Sequence, residues 1–140
     1  MYGNLYGLER ESTLKMYYQI FSALISKSVI KVYTNDKEYK DVFVTSQRIS
    51  LTDKPEESDI ILVTDESTLY SVLQSNRVKN NINKKPIFVT NYRFLKRSTN
   101  ILGAFYWRKG RSQLLFIKNR LDDYNITVPK EYEDFLVDEL

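Results

Sequence analysis

Four polar residues stand at or near the ends of apolar segments: Asp36, Asp65, Thr90 and Lys109. Asp36 follows Ile30 to Thr34 and Asn35, Asp65 follows the run DIILVT, and Thr90 closes PIFVT. Ligands gather outside the carboxyl ends of strands in α/β sheets, where clustered carboxylates can hold magnesium. An aspartate in that position can accept a phosphoryl group, with a threonine and a lysine beside it. The same residues have plainer duties: Asp36 makes a turn, Asp65 caps a helix, and Thr90 ends a strand.

A second set is basic and aromatic: Tyr92, Arg93, Phe94, Lys96, Arg97, Tyr106, Trp107, Arg108, Lys109 and Arg111. Aromatic rings stack on bases while Arg and Lys neutralise phosphates, so nucleic acid is one chemistry open to them. No recognised RNA- or DNA-binding motif accompanies them, and a solvated basic face is the simpler reading. The third set is acidic: Asp122 and Asp123, then Glu131, Glu133, Asp134, Asp138 and Glu139. Paired acids do general acid–base work when burial splits their pKa values. On surface helices they serve solubility or capping, or neutralise the chain's own basic face or that of a second copy.

Other chemistries are closed. With no cysteine and no histidine in 140 residues, the thiol nucleophile, the thiolate metal site and the usual near-neutral general base are missing. Only four glycines occur, and none forms a phosphate-binding loop or dinucleotide fingerprint. The expectation is therefore no enzyme, no cofactor and no metal. Charge is segregated as well. Ser67 to Leu121 carries no acidic residue and 12 Lys and Arg, so a one-signed surface that attracts anions or an acidic partner can form.

The elements that must position these residues follow from periodicity. Leu14, Tyr17, Tyr18, Phe21, Leu24 and Ile25 recur at three- and four-residue steps and predict an amphipathic helix over 9–26. Val29 to Thr34 reads as a strand, Glu38 to Ser46 as a short helix burying Tyr39, Val42 and Phe43, and Arg48 to Thr52 as a short strand. Asp59 to Thr64 and Pro86 to Thr90 are continuous apolar strands, the sign of burial on both faces. Between them lies a helix with Leu69, Val72 and Leu73 inward, broken over Asn80 to Lys85. Ile101 to Trp107 and Gln113 to Lys118 flank the turn Arg108-Lys-Gly-Arg111, a β-hairpin. Val128-Pro129 opens a last helix with Tyr132, Phe135 and Leu136 inward.

Alternating strands and helices predict a single α/β domain over 1–140. It has three layers: a mostly parallel sheet, helices on both faces, and an antiparallel C-terminal hairpin. The Asp36, Asp65, Thr90 and Lys109 set resembles a degenerate response-regulator receiver. Too few residues join the Arg48 and Asp59 strands to form the helix a receiver needs there, and Lys109 sits in a hairpin turn.

The C-terminal third carries another resemblance. Ile101-Leu-Gly-Ala-Phe-Tyr-Trp-Arg-Lys-Gly-Arg-Ser-Gln-Leu-Leu-Phe-Ile-Lys-Asn resembles the closing hairpin of the YfiR-like family, with Phe116, Ile117 and Asn119 approximating its "FxIN"-type strand. Leu121 to Leu140 is similar to that family's final two helical pieces, with Asn125-Ile-Thr-Val as the joint. The upstream helix and strands fall in the same order, so the resemblance spans roughly 15–138. The chain departs in lacking cysteine and the glycine pair before the hairpin, having only Gly103.

The resemblance implies a small, periplasmic, non-enzymatic regulator. Its partner would be a membrane signalling protein, the sensor region of a diguanylate cyclase or kinase, and a homodimer is the oligomeric state the resemblance allows. No basic-then-apolar leader opens Met1 to Leu8, which on its own favours the cytoplasm. The expected contact surface is Arg93, Lys96, Arg97, Trp107, Arg108, Lys109 and Arg111, facing an acidic protein or a small anion. Nucleic acid on the 92–111 face is the alternative.

Overall fold

A computed structural model describes residues 8–78 and 84–140. Its elements are α1 (Leu8–Leu24), β1 (Ile30–Thr34), α2 (Lys37–Phe43), β2 (Ile49–Leu51), β3 (Ile60–Val63), α3 (Glu66–Val78) and β4 (Ile87–Val89). They continue with β5 (Ile101–Arg108), β6 (Arg111–Ile117), α4 (Lys118–Asp123) and β7 (Leu136–Val137). Short 3-10 segments span Pro55–Glu57, Tyr92–Arg97 and Lys130–Phe135. The segment expected to break α3 lies outside the described residues as far as 83. Among the described residues no helix is long and apolar enough to cross a membrane.

Seven strands form one sheet in the order β2-β1-β3-β4-β5-β6-β7, parallel except for the antiparallel β5–β6 hairpin. The predicted α/β architecture is thus observed. Two apolar layers sandwich the sheet. On one face Tyr17, Ile20, Phe21 and Leu24 of α1 and Val42 and Phe43 of α2 pack on Ile60, Leu62, Phe88 and Phe116. On the other, Leu69 and Val72 of α3 and Phe94 and Leu95 pack on Ile61, Val63, Ile87 and Val89. All four residues of β3 are buried, which is why that run reads as continuous apolar sequence instead of alternating. The β2–β3 connection contains only the 3-10 segment Pro55–Glu57, as its shortness demands.

The hairpin turns at Lys109 and Gly110, both with positive φ (54° and 77°). That is the backbone of a two-residue turn whose twist matches the flanking strands. Upstream, the β4–β5 register skips Leu102: Ile87 pairs with Ile101 and Phe88 with Gly103. Such a bulge turns two successive residues toward one face. Leu102 joins the α1 layer, and the open side of Gly103 also faces Phe88 and Phe116 of that layer.

The C-terminal segment differs from expectation. Lys130–Phe135 is a 3-10 segment, not an α-helix, and the chain then extends into β7 beside Phe116 and Ile117. With three residues per turn, Tyr132 and Phe135 stack along one line. Tyr132 reaches Phe116 (ring centroids 6.0 Å), while Phe135, expected inward, is 39% exposed. Outside Phe116 and Ile117, the outer side of β6 has no strand partner among the described residues.

Candidate functional site

The order 2-1-3-4-5 places the reversal of strand order between β1 and β3, where open α/β sheets present a crevice beyond the carboxyl ends of their strands. Thr34-Asn35-Asp36, Thr64-Asp65, Thr90-Asn91 and Trp107-Arg108 all follow from that edge. Two crevices of about 670 Å³ each open there, and Thr64, Thr90 and Trp107 line both.

The first crevice is acidic and aromatic. Glu9, Ser12, Thr13 and Met16 of α1 form one wall, and Asp36, Glu38 and Tyr39 at the start of α2 form another. Tyr17, Phe105 and Trp107 supply rings. Asp36 is held twice over. Its Oδ1 accepts the N–H groups of Glu38 (2.9 Å) and Tyr39 (3.2 Å), capping α2, and its Oδ2 accepts the Thr64 hydroxyl (2.8 Å). Tyr17 is 1% exposed, and its hydroxyl makes no well-formed hydrogen bond. Burial holds its pKa well above the usual tyrosine value, with the Tyr39 hydroxyl and the Asp36 carboxylate adding to the effect.

The second crevice is basic. Arg93 and Arg108 line it with Asn91, Tyr92 and Tyr106. The Asn91 side chain accepts the Arg93 N–H (2.9 Å) and so starts the 3-10 segment that aims Arg93. The Arg108 guanidinium lies over the Tyr92 ring at 5.7 Å, a cation–π contact.

The predicted basic face is thus only partly assembled. Arg93, Trp107 and Arg108 share a crevice, with Lys109 and Arg111 beside them at the hairpin tip. Arg97 turns to α3, where Nη1 donates to Glu66 (3.3 Å), and Lys96 is exposed but lines neither crevice. Of the aromatic set, Phe94 and Tyr106 are 7% exposed and belong to the core, leaving Tyr92 and Trp107 outside. Tyr17, Tyr39 and Thr64 were not singled out from sequence as site residues. The tyrosines read as core because both rings pack in the α1 layer, Tyr17 fully buried and Tyr39 partly so, yet both also line the crevice.

Asp65 is occupied as the cap of α3. Its carboxylate accepts the Thr68 N–H (2.7 Å) and the Ser67 hydroxyl (3.4 Å), and the Thr68 N–H foremost lowers its pKa. A lowered folded-state pKa means stability that is present above the unfolded value, about 3.9. That stability is lost as pH falls through the depressed value. Asparagine caps nearly as well, so Asp65→Asn should keep neutral-pH stability within about 0.5 kcal/mol and flatten the acid limb. Urea midpoints between pH 7 and 2 check this, and parallel acid limbs for the two proteins would contradict it.

No protein-family model matches the chain, and a search of curated proteins finds no match.

Proposed function

We propose that the protein is a non-catalytic binding module that docks an acidic partner through the basic end of its hairpin. One observation carries this reading: the chain's single tryptophan, Trp107, is 71% exposed and lines the crevice that holds Arg93 and Arg108. Lys109 and Arg111 extend the basic surface along the hairpin. Among the described residues, none of these four bases is in an ion pair with an acid of this chain. Large side chains of this kind are normally sheltered, and Trp and Arg are the residues on which binding energy concentrates at interfaces.

An acidic protein surface suits the site better than nucleic acid. Only two aromatic rings are left outside, and Arg108 already covers one of them. The resemblance to the YfiR-like family supplies the partner class in this reading. It is the periplasmic sensor region of a membrane-bound diguanylate cyclase or kinase, held in one conformation by binding.

The test is a binding titration against the sensor region of a membrane cyclase or kinase encoded beside this protein, at 50 and 200 mM salt. Trp107→Ala should weaken binding about 30-fold or more, as truncation of a buried interface anchor does. Arg108→Glu with Arg111→Glu should abolish the salt dependence. Undiminished binding by both variants would overturn the proposal. So would a salt-steep shift of single-stranded RNA or DNA that the Arg variants reverse.

A further inference from the structure

The acidic crevice has a different chemistry from the surface just described. Glu9, Asp36 and Glu38 line it, and among the described residues no Lys or Arg does. Among the described residues none of the three carboxylates forms an ion pair. They are not close enough together to chelate: no three acidic side chains group as metal ligands among the described residues. What they share is a pocket walled by Tyr17, Tyr39, Phe105 and Trp107. Carboxylates that set a negative potential over aromatic faces form an environment for an organic ammonium, which gains from both.

An independent sign comes from Tyr17. Its ring is fixed in the core, with edge-on contacts to Tyr39, Phe43, Phe88 and Phe105 at 5.4 to 6.5 Å. Tyr17 nevertheless lines the crevice, and its buried hydroxyl has no hydrogen-bond partner. A buried hydroxyl with no hydrogen bond is costly, and a polar group in the crevice would relieve that cost. An ammonium N–H is a donor that the hydroxyl oxygen can accept.

We propose that the crevice bounded by α1, the start of α2 and the ends of β3, β4 and β5 binds a small organic cation, a primary amine or quaternary ammonium. The aromatic walls take its apolar part. Glu9, Asp36 and Glu38 face its charge, and the Tyr17 hydroxyl accepts an N–H when the guest is a primary amine. None of this requires Arg93, Arg108 or Arg111, so the arginine variants test the docking surface alone, while Trp107 is shared by both sites.

Trp107 lines the crevice and is the sole tryptophan, so its emission reports occupancy directly. The full chain is titrated with phenethylammonium chloride and with choline chloride. Sodium chloride and sodium benzoate at equal ionic strength serve as controls. A saturable change with at least one ammonium probe and none with benzoate is expected. Glu9→Gln with Glu38→Gln should raise the apparent Kd at least tenfold, since both carboxylates face the charge and neither caps a helix.

Tyr17→Phe should raise the apparent Kd for phenethylammonium about fivefold, the worth of one hydrogen bond, and leave that for choline, whose ammonium has no N–H, nearly unchanged. It should leave the ligand-free protein as stable as before or more so, because the hydroxyl it removes has no partner. A merely structural tyrosine would show the opposite pair of effects. Three results would overturn the proposal: no saturation with either probe up to about 10 mM, weaker than a millimolar site; equal responses to benzoate; or an unchanged Kd in the glutamate variant. A Tyr17→Phe protein that unfolds at clearly lower urea would overturn it too, by showing that the hydroxyl already has a partner.

Discussion

Replacing Arg120 with methionine is expected to cost about 3–5 kcal/mol of folding stability, the range seen when one partner of a buried charged network is removed. Arg120 is 5% exposed. Its Nη1 donates to the carbonyls of Leu95 (2.7 Å), Ser98 (3.0 Å) and Ile101 (2.9 Å), and its Nε and Nη2 bind Glu139 (3.1 and 2.9 Å). One guanidinium therefore ties α4, the end of the 3-10 segment, the start of β5 and the C-terminal residues together. Methionine fills much of the volume but offers no donor, so buried carbonyls lose a charge-assisted partner.

Lysine should not rescue the loss, because a single ammonium cannot serve three carbonyls and a carboxylate at once. Glu139 is 41% exposed, so Glu139→Gln should cost no more than about 1 kcal/mol. Equilibrium urea unfolding of the three variants separates these terms. If Glu139→Gln cost as much as Arg120→Met, the ion pair and not the carbonyl cluster would be the important part. The 3-10 segment that Arg120 anchors begins at Tyr92 and Arg93, so the methionine variant should also loosen the basic crevice.

Gly103→Ala is expected to cost about 2–3 kcal/mol, at the upper end for one added methyl in a packed core. A Cβ on Gly103 would run into the carbonyl oxygen of Leu115, and would lie 3.1 Å from the Phe116 ring and 3.2 Å from the Phe88 ring. These rings pack on each other across the glycine, with centroids 6.3 Å apart. Side chains can give way a little, but the Leu115 carbonyl belongs to the strand paired with β5 and cannot move without opening the hairpin. Trimming the ring should accordingly fail to compensate: Phe116→Leu in the Gly103→Ala background should lower the urea midpoint further. Recovery in the double variant would show that the ring, not the backbone, sets the limit.

Much of this fold was legible because its signals are local. Ile60 to Val63 and Ile87 to Val89 read as buried strands, since burial on both faces leaves no polar residue to confuse the period. Asp65 read as a cap because Asp before a helix has few competing uses. The hairpin followed from Lys109-Gly110 between two apolar runs. Arg120 could not be read. It follows Asn119 at the end of an acid-free stretch and looks like any solvated base, and its acceptors are backbone atoms 19 to 25 residues upstream.

The last segment was misread for a related reason. Whether Leu136 and Val137 extend or coil depends on the free edge of β6, a tertiary feature with no trace in the local pattern. The candidate site was half legible. Charge segregation pointed to Arg93 and Arg108, but the separation of an acidic crevice from a basic one required the strand order.

Among the described residues, the short pairing of β7 leaves Arg111 to Leu115 without a strand partner on their outer side. Such an edge is a template for strands from other copies of the same chain, the first step toward insoluble assembly. Arg111, Ser112 and Gln113, all exposed along it, are the kind of charged and polar side chains that discourage that pairing. The basic hairpin tip therefore also acts as a gatekeeper. Neutralising its charge would leave the monomer's interior intact while making the protein more prone to aggregate as it is concentrated.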